Sequence, residues 1–181
     1  MRPASAFGQV RLGWAPGFAV IAALAALSFG TAALAAPSPT VDCPALAAKG
    51  ASTVLALDAL DPRIGAELDR RFSVPGAPGT GRVIAPRDSD WQVTDVVSPG
   101  TPLLGRRFIA GGRIGERWYV WYESGGIAHL YHVAIFDLPP TGSAPRLVLH
   151  AAGSLDALCP VTAAQLVGRG AEAAPPDRGF W

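Results

Sequence analysis

The residues able to carry chemistry crowd into one stretch, from Trp118 to His132. Glu123 closes the aromatic run Trp118-Tyr119-Val120-Trp121-Tyr122. A carboxyl set among aromatic rings can have its pKa raised and serve as a general acid. Paired with His129 or His132 it would make a hydrolase-like site, although no second carboxylate can be placed beside it. His129-x-x-His132 has the look of a metal pair. On a strand, however, residues three apart point to opposite faces, and the only other histidine is His150. No metal site is expected. The chain has no G-x-S-x-G elbow, and the glycines between Gly76 and Gly81 lack the G-K-[ST] ending of a phosphate cradle. Asp88-x-Asp90 offers too few oxygens for a cation. No cofactor is expected either.

Binding is the stronger expectation. Gly115-Glu116 and Gly125-Gly126 read as two-residue hairpin turns, which divide the segment into antiparallel strands near 106–114, 117–124 and 127–138. With Ser124 opposite Ile127, Tyr122 faces His129, Val120 faces Tyr131 and Trp118 faces Val133. Trp118, Tyr122, His129 and Tyr131 would then share one aromatic strip with polar tips, suited to a flat or sugar-like ligand or to a protein partner. The first hairpin, with Ile114 opposite Arg117, sets Arg113 against Trp118, Ala110 against Trp121 and Phe108 against Glu123. Both faces of the middle strand are aromatic, so both must be covered. Helices can cover one. The other needs a second layer, a curled sheet, a partner or a ligand.

The elements that position these residues follow from local signals. Pro44–Ala48 reads as a helical turn or two ending at Gly50, and Thr53–Leu57 as an apolar strand or helix. Asp61-Pro62 is an N-cap followed by proline at the first helical position. Ile64, Leu68 and Phe72 then recur every four residues, giving an amphipathic helix. Residues 73–81 are a Pro/Gly loop, and Trp91–Val97 alternates as a strand. Arg146–His150 adds a further strand, and Thr162-Ala163-Ala164-Gln165 reads as a capping box opening a last helix that ends at Gly168. The predicted fold is α+β: an antiparallel meander of about four to six strands flanked by short helices. Residues 36–168 form one domain, 36–42 a mobile leader segment and 169–181 a flexible tail.

Composition places the chain in the cell. Residues 1–35 hold Arg2 and Arg11 as their only charges, an uncharged apolar run from Phe18 to Leu34, and Ala33-Leu34-Ala35 before Ala36. That is the pattern of a secretory signal peptide cleaved before Ala36; the rival is a retained anchor, for which the run is short. Without the leader, the formal charge of +1 becomes −1 and the hydrophobic share drops from 50% to about 46%, ordinary for a soluble domain. Such a balance excludes a nucleic-acid arm or polybasic membrane patch. Arginine outnumbers lysine 14 to 1 and asparagine is absent, as a GC-rich bacterial genome would produce. The only cysteines, Cys43 and Cys159, read as one disulfide joining the two ends of the mature chain. The sequence thus predicts an exported, periplasmic or extracellular protein that binds a small molecule or an envelope protein through its aromatic face. A Glu123–His hydrolase and a passive structural domain are the alternatives.

Overall fold

The computed structural model describes residues 36–73, 83–94, 103–140 and 142–167. Within them a short helix α1, Pro44–Ala47, leads to strand β1, Ser52–Val54. A 3₁₀ turn at Leu57–Ala59 then precedes helix α2, Pro62–Phe72. Asp61 caps α2 as expected: its carboxylate accepts from the Arg63 N–H at 2.9 Å. Ile64, Leu68 and Phe72 are all buried. Strands β2 (Arg106–Ile114), β3 (Arg117–Ser124), β4 (Leu130–Asp137) and β5 (Arg146–Gly153) follow, then a second 3₁₀ turn and helix α3, Leu158–Val167.

The five strands form one antiparallel sheet in chain order, β1-β2-β3-β4-β5. Its middle strand is buried on both faces. On one face Trp118, Val120 and Tyr122 pack with Phe108, Ala134 and Phe136 beneath Ile64, Leu68 and Phe72 of α2. On the other, Tyr119, Trp121, Val133 and Ile135 pack beneath Leu46 of α1 and Leu158 of α3. The cover required on the second face is therefore supplied by α1 and α3, which the Cys43–Cys159 disulfide ties together.

The first hairpin has the expected register beside its turn: Ile114 pairs with Arg117, Arg113 with Trp118 and Ala110 with Trp121. Gly115 at φ +58° supplies the left-handed residue that such a turn needs. One step further a bulge intervenes between Phe108 and Ala110. The extra residue, Ile109, makes Arg107 the partner of Glu123 and Phe108 that of Tyr122, correcting the expected Phe108–Glu123 pair.

The second hairpin differs more. Ser124 pairs with Leu130, not Ile127, so a five-residue connection replaces the two-residue turn, and Tyr122 faces His132. The reason lies in Gly125-Gly126. The Gly126 N–H donates to the Val93 carbonyl, and a Cβ on Gly125 would lie 2.2 Å from the Gln92 carbonyl oxygen. These glycines permit a close crossing of another backbone segment. The register changes by three, an odd number, and every β4 side chain changes face.

Three further expectations are corrected. Residues 91–94 are irregular, because their backbone bonds go to Leu104 and to the Gly126 turn instead of a ladder; the remainder of that expected strand lies outside the described residues. Thr162 sits inside α3, not at its start, with its hydroxyl donating to the Leu158 carbonyl and accepting from Trp121 Nε1, each at 2.7 Å. The segment after Ala36 is pinned: Arg107 Nη1 donates to the Ala36 carbonyl at 2.6 Å and Arg87 Nη2 to the Pro39 carbonyl at 2.9 Å. The leader, the 74–81 part of the Pro/Gly loop and the 169–181 tail lie outside the described residues.

Candidate functional sites

Glu123 is the centre of a buried ion cluster. The bulge at Ile109 brings Arg107 opposite it, and Arg107 Nε donates to Oε1 at 2.7 Å with both side chains less than 5% exposed. His129 Nε2 lies 2.7 Å from Oε2. Both carboxyl oxygens are thus occupied, and solvent reaches only the histidine, which is 41% exposed. Trp91 lies over the Arg107 guanidinium at 5.1 Å and against the His129 ring at 5.6 Å, while Tyr131 stacks on that ring at 4.9 Å. Burial, then the Glu123 charge, raises the Tyr131 phenol above its ordinary pKa. A carboxyl sealed in this way cannot touch a substrate. What it can do is hold the His129 ring at the surface.

His132 lies elsewhere. The β4 register sends it to the α2 side of the sheet, where its Nε2 meets Ser124 Oγ at 2.8 Å and its ring stacks on Tyr122 at 4.6 Å. Beside it, His150 Nε2 meets the Tyr122 hydroxyl at 2.7 Å. Burial and the positive charge of Arg106 lower His132 to about 4. Burial, then His132, Arg106 and Arg71, lower His150 to about 3. Burial pushes the Tyr122 phenol well above its usual range. Ser124 and His132 have the spacing of a nucleophile and its base, but a ring that protonates near pH 4 is a weak base at neutral pH. Its Nδ1 also has no partner, so the orienting acid of a triad is missing.

The expected aromatic strip does not assemble. Trp118 and Tyr122 are buried beneath α2, and Tyr131 packs toward the opposite face beside His129. Of the expected acid–base pairs, Glu123 meets His129 and not His132. Sequence reasoning missed Arg107, Trp91 and Arg106, since a bulge and an irregular segment leave no periodic signal. It also missed a cavity of about 490 Å³ beside α2. Its apolar wall includes Leu57, Leu60, Leu68 and Ile84, and its carboxylates are Asp58, Asp61 and Asp69. Asp61 is held below the usual carboxylate range, chiefly by its hydrogen bond from Arg63. Asp69 accepts from the Val83 N–H at 3.0 Å.

No protein family, curated protein or solved structure matches this chain.

Proposed function

We propose that the chain is an exported, non-catalytic binding module, and that it takes a small, largely apolar molecule in the cavity between the Leu57–Ala59 turn and α2. The observation that carries this reading is that cavity: about 490 Å³, within the 300–1,000 Å³ range typical of ligand sites, with an apolar wall and two carboxylates, Asp61 and Asp69, anchored by backbone hydrogen bonds. Of the aromatic residues expected to bind, Trp118 and Tyr122 are occupied in the core beneath α2, and the cavity beside α2 offers the binding surface instead. Export is supported by the leader pattern and by a disulfide of the kind that persists in oxidising compartments. No helix among the described residues is long and apolar enough to cross a membrane.

A blocking substitution tests the site. Gly65 lines the cavity, and nothing lies within 4 Å of a Cβ built there. Gly65→Leu should therefore fill the space without disturbing the fold and should remove binding of an uncharged apolar probe such as Nile red. Equal probe binding by both chains, or none by the native one, overturns the reading.

A second reading has its own support. Val93, Leu103, Leu130 and Ile127 are exposed around the β3–β4 connection, and Ile127 is 96% exposed. Such an apolar rim suits an envelope-protein partner. A photo-crosslinker at position 127 should then trap one specific partner in cells; uniform, non-specific labelling would reject this alternative.

A further inference from the structure

Beyond Phe72, the α2 side of the sheet ends in Arg106, Ser124, His132 and His150, polar side chains outside both cores, beside the core residue Tyr122. Arg106 and Ser124 are register partners on β2 and β3, Tyr122 faces His132 on β4, and His150 stands on β5 opposite Ala134. The Tyr122, His132 and His150 rings are nearly parallel: Tyr122 and His132 are 4.6 Å apart at 3°, and the two imidazoles 5.4 Å apart at 9°. Arg106 is partly buried, with its guanidinium 4.6 Å over the Phe72 ring. No described carboxylate or carbonyl accepts a hydrogen bond from it. Arg71, the neighbouring cation on α2, is engaged by Glu67 at 2.6 Å. His132 Nδ1 is buried without a partner.

We propose that Arg106, with Ser124, His132 and His150 around it, is an oxyanion-binding site for a carboxylate or phosphate group. This goes beyond the apolar cavity and does not depend on it. A guanidinium removed from water has lost solvation, and its contact with a phenylalanine ring returns only part of that. It carries five donors in a fork that matches two oxygens of a carboxylate or phosphate. The hydroxyls of Ser124 and Tyr122 are each committed to a histidine ring, which leaves the Arg106 guanidinium with no acceptor among the described residues. An anion is the missing member. The Arg106 charge also helps keep both imidazoles neutral, so an anion seated on it should let them take up protons at higher pH.

Titration of the mature chain with inorganic phosphate and, separately, with acetate tests this at constant ionic strength set by chloride. Histidine Cε1–H resonances are the readout. Saturable shifts of the His132 and His150 signals by either anion, with the imidazole midpoints rising in its presence, are expected. The anion that saturates at the lower concentration names the ligand class. Arg106→Gln should abolish the saturable response. Arg106→Lys keeps the charge but not the fork, and should weaken binding at least about tenfold, the amount that loss of one charged hydrogen bond accounts for. It serves where the glutamine variant does not fold. A response that is linear, that chloride reproduces, or that survives the loss of Arg106 overturns the proposal.

Discussion

A carboxylate that water cannot reach needs its counter-charge inside the protein, and Glu123 finds it in Arg107. Because both members are buried, removing one strands the other, at a cost of about 3–5 kcal/mol. Glu123→Ala should therefore lower the urea midpoint strongly while leaving the slope of the transition unchanged. A surface-like change of under about 0.5 kcal/mol would contradict the burial of the pair. The two depressed histidines give a pH dependence of definite sign. His132 and His150 protonate near 4 and 3 in the folded chain but near 6.5 when unfolded. As pH falls through 6.5 the unfolded chain binds more protons, so their contribution, fully present above that pH, is lost progressively toward 4 and 3. The melting temperature should drop between pH 7 and pH 5, before the lowered carboxylates Glu67, Asp61 and Asp137 begin to titrate. In a His132→Phe, His150→Phe double variant that part of the drop should flatten.

At the scale of elements, what the sequence revealed and what it hid divide along physical lines. Helix α2 was legible because Asp61-Pro62 and the i, i+4 spacing of Ile64, Leu68 and Phe72 are local signals. The first hairpin was legible for the same reason: a glycine with positive φ sits between two strands that pair directly. The Gly125-Gly126 pair gives the same kind of turn signal, yet it serves a backbone crossing by residues 92–93, a long-range contact that no window contains. Thr162 misled similarly. Its spacing to Gln165 mimics a cap, while its hydroxyl satisfies the buried Trp121 indole. The candidate site suffered most, since a bulge and a register change decide which side chains meet. Glycine 112 gives a test at this level. A Cβ there would lie 1.9 Å from the Ser52 carbonyl oxygen, against backbone that cannot swing aside. Gly112→Ala should detach β1 from β2, and hydrogen exchange at Ser52–Val54 should rise well above that of the other strands.

For the whole molecule the determining feature is the bond that ties α1 to α3. Cys43 and Cys159 are 116 residues apart, and cross-linking a loop of that size stabilises by about 4–5 kcal/mol in the chain-entropy account. Cys43→Ser/Cys159→Ser should lower the urea midpoint accordingly. It should also loosen α1 and α3 from the Tyr119–Trp121 face before α2 leaves the other, which near-ultraviolet dichroism would detect. The disulfide has a second consequence. It turns the chain between residues 43 and 159 into a covalent circle, and a circle must be cut twice to yield two pieces. A protease that clips the exposed Ile127 connection once leaves both halves tethered, each still holding its strands against the other. A single scission there would open the ring without dispersing the fold.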